Sequence, residues 1–131
     1  MALSKDQILG ASDLPNQTVP VPEWGGDVII RTMTGAARDA YEASMVVFKD
    51  GQRVADLTNM RAKLVAATLV DDTGRLLFTA AEEVEALAAK SASVLERLFR
   101  VAQDLNGMGA ASVEQAQKNS NAAPSGASPS A

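Results

Sequence analysis

The most regular apolar pattern in the chain extends from about Ala80 to Asn106. Mostly apolar residues recur there in alternating steps of three and four, which is the spacing of one face of an α-helix. That face consists of Val84, Leu87, Ser91, Val94, Leu98, Val101 and Leu105. Thr79-Ala-Ala-Glu82 has the capping-box pattern of a helix start, and Asn106-Gly107 is a stop signal. We predict one helix of about 40 Å over this segment, from a rise of about 1.5 Å per residue.

Two interpretations of this helix stay open at the level of sequence. The three-four alternation permits a coiled-coil contact with a partner helix. Ser91 within the apolar face, and the alanines beside it, favour close packing of the helix on its own domain instead.

Residues 17–32 have the composition of a β-hairpin. The stretch DVIIRT is rich in β-branched residues and predicts the better-formed second strand. Pro20 and Pro22 in the first strand cannot donate ladder hydrogen bonds, so that strand is predicted at a sheet edge.

Trp24 is the chain's one tryptophan and lies in the predicted turn, beside Gly25 and Gly26. Adjacent glycines adopt positive φ freely, so the turn can bring the indole back over the hairpin. The side chain then either covers a small core or contacts a partner. Stacking on a nucleotide is disfavoured, because no basic residues gather around it.

Capping residues predict one helix on each side of this hairpin. Ser4 and Gln7 have capping-box spacing for a short helix from about Lys5 to Gly10. Thr34 is a suitable N-cap for a longer helix through about Lys49. The apolar face of that longer helix consists of Ala37, Tyr41, Met45 and Phe48.

The middle of the chain predicts a third helix and a turn. Thr58 or Asn59 can cap this helix, in which one face consists of Met60, Leu64, Ala67 and Thr68, with Val65 and Leu69 close by. The sequence DDTG at residues 71–74 is a turn signal, and RLLF after it is consistent with a short strand.

The C-terminal residues differ in composition from the rest of the chain. From Asn119 to Ala131 there is no charged, aromatic or large aliphatic residue, so the segment cannot bury enough surface to offset its ordering entropy. We predict an α+β fold, with a small N-terminal β-hairpin packed on about three to four helices, the last one longest. A single domain is expected over residues 1–106 and a flexible Ser/Ala/Pro-rich tail over residues 107–131.

Charge and composition then exclude several classes of partner. The 131 residues carry twelve Lys and Arg against sixteen Asp and Glu, a formal net charge of −4. A clustered basic face for nucleic acid is therefore not expected. The chain also lacks a run of about 18 apolar residues, so no membrane span is predicted, and a membrane is not expected among its partners. The N-terminus has no long apolar segment of the kind found in signal peptides.

The residue types that usually perform catalysis are scarce. Histidine and cysteine are both absent, which removes the usual general base near neutral pH, thiolate chemistry and the commonest metal ligands. The carboxylate pairs Asp71-Asp72 and Glu82-Glu83 have the positions of turn and helix N-terminus residues. We predict no enzymatic activity, no catalytic or metal-binding residues and no cofactor.

The order of the sequence segments supplies a more specific indication. The segments are LSKDQIL, VPEWGGDVIIRTMTGAARDAYE, NMRAKLVAATLVDDTGRLLFT, VEALAAKSASVLERLFRVAQDLNG and VEQAQKNS. Together, over about residues 3–120, they resemble the tail assembly chaperones of siphophages, which are long-tailed phages with non-contractile tails. The most characteristic parts are the Trp24 hairpin followed by Arg31 and GAARDAYE, and DDTGRLLFT leading to KSASVLERLF.

The resemblance implies a function in building the phage tail. Such a chaperone binds the tape measure protein and helps recruit major tail tube protein subunits to it, in the host cell cytoplasm, and is absent from the finished virion. The family also implies a longer form, made by ribosomal frameshifting, as a further partner, with this chain as the short form. Codons for Gln117-Lys118-Asn119 can contain the slippery run A-AAA-AAC, which is one candidate frameshift position.

Two groups of residues are candidates for partner contact. The first is Trp24 with Val19 and Val21 of the edge strand before it, and the second is the long-helix group of Leu95, Leu98 and Phe99. All of them are apolar and could equally belong to the core. An alternative function of the same size and composition is a minor structural tail or head–tail joining protein of the virion.

Overall fold

The computed structural model describes residues 1–108. The predicted tail therefore lies almost entirely outside the described residues, as does the candidate frameshift position at residues 117–119. The elements in chain order are α1 (Lys5–Gly10), β1 (Asn16–Val21), a 3-10 turn (Pro22–Trp24), β2 (Gly26–Arg31), α2 (Gly35–Ala43), β3 (Val46–Lys49), β4 (Gln52–Ala55), α3 (Met60–Thr68), β5 (Leu69–Val70), α4 (Ala81–Ala88) and α5 (Ala92–Leu105). The predicted α+β class is confirmed.

The N-terminal hairpin forms two strands of a three-stranded antiparallel sheet. The strand order is β1-β2-β5, and Val19 lies opposite Val28 in the register of the hairpin. β1 lies at the edge, as Pro20 predicts, whereas Pro22, predicted in the same strand, begins the 3-10 turn. Gly25 ends the 3-10 turn with φ 83°, a left-handed conformation that glycine adopts without a steric penalty.

The core lies between this sheet and the helices α3 and α5. α3 is buried around most of its circumference, and α5 packs against α3, β1 and β2. Side chains with no exposed surface come from each of these elements: Val21, Ile30, Leu64, Val65, Val94, Leu98 and Ala102. The Thr68 hydroxyl, which is also buried, donates to the carbonyl oxygen of Leu64 at 2.9 Å, so the hydrogen-bonding capacity of this buried hydroxyl is satisfied.

The predicted helix from Thr34 to Lys49 is wrong in its second half. Thr34 is the N-cap, since its side chain accepts from the Ala37 amide at 3.0 Å, but α2 ends at Ala43 and the strands β3 and β4 follow. Asp50 and Gly51 have φ 53° and 79°. Positive φ at both central residues is what a tight two-residue hairpin requires, and Asp-Gly is a strong sequence signal for it. Phe48 consequently lies on a hairpin strand and is 74% exposed.

The predicted single helix from Ala80 to Asn106 is also wrong, because it is divided into α4 and α5. Ser91 has φ −54° and ψ 129° and is the N-cap of α5, and serine favours that position over a helix interior. A straight helix of about 40 Å would extend beyond a domain of this size, whose radius of gyration is about 13 Å. The break lets both segments lie against the core, where Leu87 of α4 and Val94 of α5 are buried.

The start of α4 differs from the prediction by one residue. Ala80 is the N-cap, and the Glu83 carboxylate accepts from the amides of Thr79 at 2.9 Å and Ala80 at 3.0 Å. Glu82 does not have this function. The predicted RLLF strand is reduced to an isolated bridge between Val70 and Leu76.

Candidate functional site

An open groove of about 620 Å³ lies between α2, α3 and α4. α2 and α4 both pack on α3 and barely contact each other, so α3 forms the floor and the other two helices form the sides. The lining is rich in small apolar residues: Ala37, Ala40, Ala66, Ala67 and Ala81. We call this feature the alanine groove.

Larger apolar side chains complete the alanine groove. Tyr41 of α2, Phe78 from the segment before α4, and Val84 of α4 all line it. Tyr41 is buried, and burial raises the pKa of its phenol above the ordinary value. The groove therefore offers a mainly apolar surface to a partner.

The charged residues of the groove are Asp56, Lys63 and Glu85. The Lys63 ammonium donates to the carbonyl oxygen of Ser44 at 3.3 Å. The Asp56 carboxylate accepts from the Thr58 amide at 3.1 Å, and hydrogen bonding by Thr58 lowers the pKa of Asp56. Glu85 takes part in none of the ion pairs among residues 1–108, and its carboxylate is thus available to an incoming group.

A smaller apolar pocket of about 260 Å³ lies beside Trp24. It is lined by Trp24, Phe78, Ala86, Leu87 and Lys90. Successive helix residues are about 100° apart, so Ala86 lies on a different face of α4 from the groove-lining residues Ala81, Val84 and Glu85. Phe78 lines both the Trp24 pocket and the alanine groove, so the two are neighbouring surfaces.

The turn that carries Trp24 is attached to α5 by an ion pair. The Arg97 guanidinium donates to both Glu23 carboxylate oxygens, at 3.0 and 2.8 Å. These hydrogen bonds lower the pKa of Glu23 from 4.5 to about 2. Trp24 itself is half-buried and packs against the core, which fits its predicted function as a cover and leaves part of the indole accessible.

The other predicted contact residues are at most 7% exposed; they are Val19, Val21, Leu95, Leu98 and Phe99. The Arg61 guanidinium lies 5.7 Å from the centre of the Phe99 ring and covers it further. Arg61 is in turn paired with Glu96. In this conformation Trp24 is the member of the predicted set with substantial accessible surface; whether any of the six contacts a partner stays a prediction.

Sequence reasoning missed two exposed apolar surfaces. One is the hairpin of β3 and β4, residues 46–55, which we call the hairpin arm; within residues 1–108 its strands pack on each other and make few contacts with other elements. Phe48 is 74% exposed and its neighbours Val47 and Val54 about 40%. The other surface is α1, which has no buried residue and exposes Ile8 and Leu9. The Asp-Gly turn signal could have located the hairpin arm.

The acidic turn at residues 71–74 has a structural function. The Asp71 carboxylate accepts from the Thr73 hydroxyl at 2.6 Å, the Thr73 amide at 2.8 Å and the Arg75 amide at 3.0 Å. These bonds lower the pKa of Asp71. Within residues 1–108, no group of three or more potential metal ligands comes together. None of the helices in that range has the length and apolarity needed to cross a membrane.

An open apolar groove and exposed apolar strands on a small α+β domain are typical of proteins that bind other proteins. Residues 11–119 match the family described as phage tail assembly chaperone, and the chain belongs to this family. The predicted family resemblance is thereby confirmed.

A solved structure agrees with this assignment. The chain is similar to the protein in "Structure of bacteriophage HK97 tail assembly chaperone", with a TM-score of 0.52 and 26% sequence identity. The match covers 76% of this chain and 90% of that chain. No curated protein matches the chain.

Proposed function

We propose that this tail assembly chaperone binds the tape measure protein and helps recruit major tail tube subunits to it during tail morphogenesis. It acts in the host cell cytoplasm, without a catalytic step, and does not remain in the virion. A longer frameshifted form would carry the same domain and join it to a second binding segment. Family membership over residues 11–119 supports the general function.

The observation that supports binding of the tape measure protein is the amount of apolar surface that is exposed on this acidic domain. The alanine groove, the hairpin arm and α1 all present apolar side chains to solvent. A protein that shields apolar segments of a long partner needs such surfaces. A net charge of −4 favours solubility while these surfaces are exposed.

Co-expression with the tape measure protein of the same phage tests this proposal. We expect the tape measure protein to be soluble with this chain and to co-purify with it, and to be insoluble when an unrelated acidic protein of similar size replaces the chain. Equal insolubility in both cases would contradict the proposal.

Mass spectrometry of purified virions distinguishes a chaperone from a minor structural tail or head–tail joining protein. We expect peptides of this chain in infected-cell lysate and none in the particles. A fixed copy number in the virion would favour the structural alternative.

A further inference from the structure

We propose that the alanine groove binds one amphipathic α-helix of the partner, with large apolar residues on one face and Lys or Arg along the edge that lies beside α4. This inference rests on the proposed function in one respect: the partner that supplies the helix is the tape measure protein.

The helices around the groove define the shape of the occupant. α2 and α4 pack on either side of α3 without packing on each other, which leaves an elongated space over α3. Ala40 on the α2 side and Ala81 on the α4 side have small side chains, which keep this space open. The distance between two packed helices depends on the side chains at their contact, so an alanine lining lets a further helix approach closely.

The groove offers nothing that would hold an extended strand. Strand addition requires an open sheet edge with free backbone groups, whereas the groove is lined by helices and by the segments that join them. The exposed edge of the three-stranded sheet is β1, which contributes no residue to the groove. A helix that inserts large side chains between α2 and α4 is the occupant that fits.

The charge of the groove specifies the polar edge of that helix. α4 carries Glu82, Glu83 and Glu85 and has no basic residue between Ala81 and Ala88. The Glu83 carboxylate accepts hydrogen bonds at the start of α4, whereas the Glu85 side chain lines the groove. Lys63, the basic residue of the lining, is bonded to Ser44. A partner helix with Lys or Arg next to α4 complements this charge.

Calorimetric titration of the full chain with overlapping 25-residue peptides of the tape measure protein identifies the occupant. We expect the tightest peptide to be amphipathic and basic along one edge. Ala40→Trp fills the groove from an exposed helix position and should weaken binding of that peptide about tenfold or more. Ala43→Trp is the matched control, because Ala43 is exposed on the same helix outside the groove, and should change the affinity less than about twofold.

A second pair of variants tests the charge. Glu85→Lys should weaken binding about fivefold or more at low salt, with a smaller effect at high salt. Asp39→Lys makes the same charge change on an exposed α2 residue outside the groove and should have little effect. Replacing the peptide's basic edge by Glu should restore binding to Glu85→Lys. Ala81→Trp fills the groove from the other side if Ala40→Trp does not fold.

The outcomes separate this inference from the proposed function. If the wild-type chain solubilises the tape measure protein and the groove variants bind it equally well, the groove inference is overturned and the function stands. If the wild-type chain binds neither the protein nor any of its peptides, both are overturned. If the groove instead accepts α1 or another segment of a second copy, the purified wild-type chain will have the native mass of an oligomer, that mass will fall with Ala40→Trp, and the inference is again overturned.

Discussion

Leu98→Ala is the sharpest test of how this fold is stabilised. Leu98 lies in the middle of α5 with no exposed surface, among core residues from the sheet and from α3. It is also one of the residues for which the sequence left core packing and partner contact as alternatives. The substitution keeps the helix, because alanine has the highest helix propensity, and it removes only the end of the side chain.

The expected loss of stability follows from what is removed. Leucine to alanine deletes three carbon atoms, and at about 0.8 kcal/mol per buried methylene the transfer contribution is about 2.4 kcal/mol. The cavity that remains adds to this value, which gives about 2 to 5 kcal/mol in total for buried leucines. A domain of this size is stable by about 5 to 15 kcal/mol, so the variant should fold with a melting temperature lower by about 10 °C or more.

Thermal and urea denaturation followed by circular dichroism measure this change. Leu9→Ala is the matched control, since Leu9 lies on α1 and is 76% exposed; its melting temperature should stay within about 2 °C of wild type. If Leu98→Ala also melts within about 2 °C of wild type, the burial argument for α5 is refuted. Leu98 would then belong to a partner-facing surface in solution.

Two further predictions concern the Trp24 turn and the hairpin arm. The pKa of Glu23 falls from 4.5 to about 2 on folding because Arg97 donates to it, so the pair stabilises the fold above about pH 4.5 and its contribution is lost as the pH falls towards 2. The difference in urea midpoint between wild type and Glu23→Gln should therefore shrink over that range, and a difference independent of pH would contradict the ion pair. Phe48→Ser should leave the melting temperature within about 2 °C, because the ring is 74% exposed; a loss comparable to Leu98→Ala would mean that the hairpin arm packs on the core.

Local signals in the sequence predicted the elements whose caps and turns are set by neighbouring residues. The Thr34 cap, the short helix at residues 5–10 and the edge position of β1 are examples. Capping side chains bond to residues close in sequence, and proline removes its own backbone donor, so both effects can be derived without tertiary structure.

The sequence-based predictions were wrong where two local patterns competed or where the structure depends on contacts between distant segments. Met45 and Phe48 continue the helical spacing of α2, but the Asp50-Gly51 turn and the β-branched residues around it stabilise a hairpin instead. The regular apolar face across Ser91 concealed a break that depends on the size of the whole domain. The alanine groove could not be predicted, because its lining comes from three helices and from connecting segments whose arrangement no local pattern specifies.

The hairpin arm has a consequence for the dynamics of the protein. Its strands pair through residues that are close in sequence, Val46 with Ala55 and Lys49 with Gln52, and an isolated two-stranded hairpin is marginally stable in water. Its amides should thus exchange with solvent through a local opening that does not require the core to unfold. In native-state hydrogen exchange, residues 46–55 should lose protection at denaturant concentrations that leave α3 and α5 protected. Residues 1–108 then contain two cooperative units, and a partner that orders the smaller one will slow exchange there without raising the stability of the larger.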